Sequence, residues 1–178
     1  MIGENEKALI ELWKELCSEH GYPQRKHFNP MMFPKLLPNI VIMERVTDGD
    51  QHDYVIRLVG TNFDDVAGEN IKGRKLSSFH NKETDVLFKK NFAKLIGLPC
   101  GATFYRKNVS PRGREVGIIM TVLPFKGKTE DRPQILFYHN FEEEPWFGEG
   151  QGEFFAKPIE YWEFIDLGFG VPKREPRL

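Results

Sequence analysis

Two cysteines in 178 residues leave no disulfide framework to expect. Cys17 and Cys100 lie far apart, with no CxxC or CxH spacing, so a structural zinc site is not indicated. Each reads as a small apolar filler in a reducing compartment. No run approaches the roughly 20 apolar residues that a spanning helix needs. The opening MIGENEKALIELW has no basic stretch followed by an apolar one, so it does not resemble a signal peptide, and the cytoplasm is the expected location. The chain also lacks charge of one sign. Its net charge of -1 offers no basic surface for nucleic acid and no acidic tail. Lys89-Lys90, Lys173 to Arg177, Asp64-Asp65 and Glu142 to Glu144 read as solvated surface, and neither acid cluster has the spacing of a calcium loop. GxSxG, HExxH and GxxxxGK are all missing, so no enzyme template has residues to name.

What is present is aromatic. Phe alone supplies 15 residues, enough to imply a bulky core, or a pocket or interface lined with rings. Apolar residues make up 40% of the chain, which suits one folded domain.

Residues 4–20 read as an amphipathic helix. Leu9, Leu12, Trp13, Leu16 and Cys17 recur at spacings of three and four, and Gly21 and Pro23 stop it. Prolines 23, 30, 34 and 38 then forbid a long helix, leaving one short turn capped by Asn29. Asn39 to Val46 and Tyr54 to Val59 read as a hairpin, turned by Asp48-Gly49. The second strand alternates Tyr54, Ile56, Leu58 against Val55, Arg57, Val59, so neither face is polar and both are expected to be partly covered. Short helical pieces broken by Gly60, Gly68 and Gly73 lead to a helix over 81–96, with Asn81 as cap and Val86, Phe88, Phe92, Leu95 and Ile96 as its apolar stripe. Strands are expected near 102–109, 115–125 and 134–141. A loop over 142–152 follows. The segment 154–170 is too aromatic for a disordered tail and is expected to dock on the domain or on a second copy. Three parts result: an N-terminal helix (1–22), a core domain (23–142) and a C-terminal extension (143–178).

The stretch YVIRLVGTNFDDVAGENIKGRKLSSF, beginning at Tyr54, resembles PAS domains. There a strand ends, an aromatic follows in a short helix, and glycines come next, here Phe63, Gly68 and Gly73, then Leu76 and Phe79. Leu12-Trp13, Pro23, Arg25, Phe28, Pro30, Leu36 to Ile40 and Arg57 to Thr61 are similar to the stand-alone PAS-like proteins of alphaproteobacteria. The resemblance spans about residues 9–142. It implies an α+β fold, a five-stranded antiparallel sheet with helices on one face, flanked by the N-terminal helix and the docked extension. It also implies a sensory module that binds a small molecule or a protein partner and signals through protein contacts. No cofactor is named. The cysteine motif of flavin-binding PAS domains has no counterpart, and no histidine lies on the 81–96 helix where haem-binding branches place one, although His80 just precedes it.

Candidate ligand-binding residues are Arg57, Phe88, Phe92, Tyr105, Phe137 and His139. Arg57 sits among apolar neighbours and must be paired or sit at an edge; it either holds a ligand carboxylate or pairs with Asp53, Glu44 or another acid. Tyr105 and Arg106 adjoin on a strand, so one of them faces inward. His139 shares a face with Ile135, Phe137 and Phe141; it is a pocket group, a haem ligand, or a strand histidine with its bond satisfied. Leu9, Leu12, Trp13 and Leu16 form either a homodimer or partner surface or a face packed on the chain's own sheet. The competing reading is a small enzyme or carrier of the ketosteroid-isomerase type, which needs a buried acid or base in an apolar cavity.

Overall fold

A computed structural model describes residues 2–49, 51–142, 152 and 154–173. The expected acidic cluster beyond Glu142, most of the loop over 142–152 and the basic stretch beyond Lys173 lie outside the described residues. Helix α1 spans Glu4–His20, and Gly21 ends it with φ of 68°. A proline-rich segment follows, with a 3₁₀ turn at Pro30–Met32 whose first N–H is taken by the Asn29 side chain. Strands β1 (Ile40–Asp48) and β2 (Gln51–Val59) form the hairpin, turned through Gly49 at φ 61°. Helix α2 (Thr61–Ala67) is short and ends at left-handed Gly68. Helix α3 (Lys82–Gly97) opens with the Asn81 side chain accepting from the Thr84 N–H. Strands β3 (Gly101–Val109), β4 (Glu115–Phe125) and β5 (Gln134–Phe141) follow.

These strands make one antiparallel sheet in the order β2-β1-β5-β4-β3. The aromatic extension adds two strands that sequence patterning did not separate, β6 (Phe155–Ala156) and β7 (Tyr161–Ile165), both paired to the outer edge of β3. The opposite edge, β2, is met by the segment before α3, where the Ile56 N–H donates to the Arg74 carbonyl and the Gly73 N–H donates to the Ile56 carbonyl.

Each face of the sheet carries its own core. The inner face packs Val41, Ile56, Phe104, Ile118, Met120 and Phe137 against α2, α3 and the segment between them. The outer face packs Ile40, Ile42, Leu123, Phe125 and Leu136 against α1. Leu9, Leu12, Trp13 and Leu16 all lie in this outer core, each at most 9% exposed. The face read as a possible dimer surface is thus packed on the chain's own sheet, where the apolar strand positions would otherwise meet water.

Two other expectations are corrected. Ile42 opposes Leu58 while Met43 opposes Ile56, so Arg57 is an extra, bulged residue on β2. The bulge switches faces: Tyr54 and Ile56 join the inner core, while Leu58 packs on the outer one. This is why neither face of the strand reads as polar. In α3, Val86 is exposed, and Thr84 and Asn91 complete the buried stripe. At about 100° per residue Val86 sits roughly 160° around the helix from Phe88.

Candidate functional site

Between the inner face of the sheet and its helical cover lies a cavity of about 20 Å³, enough for about one water. Strands contribute Val41, Met43, Ile56, Phe104, Met120 and Phe137, and the cover contributes Phe63, Ile71, Leu76, Phe79, Phe88 and Phe154. Three polar side chains complete the lining: His80, Arg106 and His139.

Arg106 follows from the pleat of β3. Ala102, Phe104 and Arg106 point inward, in register with Val122, Met120 and Ile118 of β4. Thr103, Tyr105 and Lys107 take the other face. Arg106 is only 5% exposed. Its Nη1 donates to His80 Nε2 at 2.7 Å, and its guanidinium lies 5.3 Å from the Phe88 ring centre. Burial pulls it down to about 9, so it remains a cation at neutral pH. His80 stacks on Phe88, with centroids 4.7 Å apart and planes 7° from parallel. Burial, then the Arg106 charge, lowers His80 to about 3. Because neutral His80 accepts at Nε2, its proton sits on Nδ1. His139 Nδ1 donates to the Asn39 carbonyl at 3.2 Å. Its ring lies 4.5 Å from that of Phe63. Burial lowers His139 to about 3 as well; the Asn39 carbonyl opposes the shift and the Arg106 charge adds to it.

Both imidazoles therefore stay neutral in the folded chain far below the value near 6.5 at which unfolded histidine titrates. Between these limits the unfolded chain binds more protons, so stability is full above about pH 6.5 and is lost as pH falls toward 3. Acidification from about pH 7 to 5 should remove about 2 kcal/mol per histidine. Urea unfolding at both pH values checks this: His139→Gln should show a correspondingly smaller pH effect, and an unchanged one would contradict a buried neutral His139.

Of the residues singled out in the sequence, Phe88, Phe137 and His139 line the cavity. Phe92 lies deeper in the same core, against Tyr54, Phe88 and Phe137. Arg57 does not reach the cavity. From the bulge it turns outward and donates to Glu44 through Nε at 3.2 Å and Nη2 at 2.8 Å. Glu44 also accepts from Arg132 at 2.6 Å and Gln134 at 3.0 Å. Burial pushes the Glu44 carboxyl up, but these hydrogen bonds outweigh it and hold the group below the usual carboxylate range. Tyr105 faces outward too, its hydroxyl donating to Glu142 at 3.2 Å beside a surface groove of about 600 Å³. The inward partner of that pair is Arg106. The signal was in β3 itself, where Arg106 is in phase with Ala102 and Phe104, and Tyr105 with Thr103 and Lys107.

An antiparallel sheet in the order 2-1-5-4-3, with short helices and one long helix enclosing a cavity on one face, defines a class of small α+β domains. A family model for the PAS domain matches residues 1–138. The chain belongs to the PAS domain family. A search of curated proteins finds no match. Among the described residues no helix is long and apolar enough to cross a membrane.

Proposed function

We propose that this PAS domain is a non-catalytic sensory module that binds a small molecule in the inner cavity and passes the bound state to a protein partner. The observation that carries this reading is the cavity lining: aromatic walls into which one buried cation and two neutral histidines converge. Walls of this kind supply contact, and a few polar groups supply orientation.

A ligand larger than water requires the cover to yield. The cover is suited to this. Phe63 sits on a helix of only seven residues, and glycines at φ 71° and 89° follow it. Such short elements hold few backbone hydrogen bonds and open more readily than the sheet. Phe154 lines the cavity and leads directly into β6 on the sheet edge. Displacing Phe154 would bias that edge between two arrangements, which is a route from occupancy to a partner surface. The carboxylate-base enzyme reading finds no support in the lining, which contains no Asp or Glu among the described residues.

Native mass spectrometry with an absorption spectrum of freshly purified protein tests the reading. The expected result is a retained mass that disappears on denaturation. The bare polypeptide alone, in both measurements, would count against an occupied sensor pocket.

A further inference from the structure

We propose that the inner cavity takes a small monocarboxylate, its carboxylate held by Arg106 and its hydrocarbon part lying among the phenylalanine rings. This rests on the ligand-binding reading above and adds the chemical class.

The first observation is an unbalanced charge. Arg106 is buried on the inner face, and the titratable groups that line the cavity with it are His80, ahead of α3, and His139, on β5. A histidine side chain is neutral or cationic, so neither offsets the guanidinium. The lining holds no carboxylate among the described residues. A buried charge with no counter-charge is expensive; the bond to His80 and the Phe88 ring offset only part of that cost, and an anion would offset more. Methionine or leucine would fill the position more stably in a purely structural core.

The second observation is a pair of unused donors. Arg106 Nε and His80 Nδ1 are both buried and have no hydrogen-bond partner. Arg106 Nη1 is already committed to His80 Nε2. His80 turns its Nδ1–H away from the guanidinium that its Nε2 accepts from, so the two donors point in different directions and the open Nε–H edge of Arg106 calls for an acceptor of its own. A carboxylate meets this, and its planar pair of oxygens suits the guanidinium fork.

Charge and wall chemistry narrow the class further. One cation is neutralised by one negative charge, and a dianion would leave its second charge buried among rings. Phe63, Phe79, Phe104 and Phe137 offer contact to hydrocarbon and no further donors for a hydroxylated acid. A cavity of about 20 Å³ admits even the shortest of these only once cover residues such as Phe79 and Phe154 move aside, and the shortest chains ask the least movement.

The test uses the full chain and matched probes at constant ionic strength: acetate, butyrate and benzoate, each against its own amide, with sodium chloride as the ionic control. Calorimetric titration and thermal shift are the readouts. Each carboxylate that binds is expected to do so about tenfold or more tightly than its amide. Arg106→Met should erase that preference, and Arg106→Lys should keep part of it. Far-UV circular dichroism checks both variants; if Arg106→Met does not fold, the carboxylate-to-amide comparison in the unaltered chain still decides. Equal binding of carboxylate and amide would overturn the anion assignment while leaving the pocket reading in place. Binding of none of the probes would overturn the carboxylate class, and the pocket reading would then fall only if the purified protein also carried no retained molecule.

Discussion

Trp13→Glu should unfold the protein rather than separate two copies of it. Trp13 is fully buried, and its indole N–H donates to the Pro124 carbonyl at 2.7 Å. Its ring packs near Tyr22 at 6.2 Å and edge-on to Phe169 at 6.3 Å. Loss of a core tryptophan side chain alone costs about 3–5 kcal/mol. A glutamate there adds the cost of a buried charge or of its neutralisation. A domain of this size is stable by only about 5–15 kcal/mol in total, so the variant should be largely unfolded or close to it. Trp13→Phe is the milder probe, keeping ring area but orphaning the Pro124 carbonyl, at about 1–3 kcal/mol. Urea unfolding followed by circular dichroism, with mass in solution measured beside it, separates the possibilities. A Trp13→Glu variant that kept its unfolding midpoint while halving its mass would mean that α1 docks on a second copy.

The second large effect is expected on the far side of the sheet. Trp162 of β7 stacks on Phe104, centroids 4.9 Å apart with planes 10° from parallel. It also meets Phe88 and Phe92, each at 6.3 Å. The extension therefore closes the inner aromatic core as well as lengthening the sheet. Trp162→Ala should cost about 3 kcal/mol, since the ring is large and partly buried and several aromatic pairs are lost with it. Ending the chain at Glu142 should do more, because it also bares the outer edge of β3 and the rings beneath it. A lower unfolding midpoint, binding of a dye for exposed apolar surface, and higher-order species on size exclusion are the expected signs. A shortened chain that stayed monomeric with an unchanged midpoint would show that the extension contributes nothing to the core.

The elements that were legible in the chain are those whose signals are local. Helix α1 announced itself by spacings of three and four and by Gly21, and α3 by Asn81. The hairpin followed from Asp48-Gly49. The bulge at Arg57 carries no such signal, because the β2 sequence alternates evenly. Only its alignment with Ile42 and Met43 on another strand reveals the extra residue, and with it why Arg57 meets Glu44 instead of the cavity. The target of α1 was likewise unreadable: an apolar stripe states that it will be covered, not by what. At the site, three phenylalanines and His139 were recognisable from strand and helix phase, three of them as cavity lining. Arg106 was missed between two adjacent candidates, although the polar phase of Thr103 and Lys107 pointed outward. Phe154 could not be placed from pattern, since its position depends on a strand pairing far along the chain.

Both margins of the sheet are occupied by the chain itself, β3 by its own terminal strands and β2 by the backbone at Gly73 and Arg74. The edge beyond β3 passes to β7, a strand of only five residues, which gives a foreign strand less to template on than the nine residues of β3 would. A partner can read side chains on a flank or along the short β7 edge, or else win a competition for β3 in which β6 and β7 are peeled away and replaced. That second mode would make recognition and release of the aromatic cover a single event.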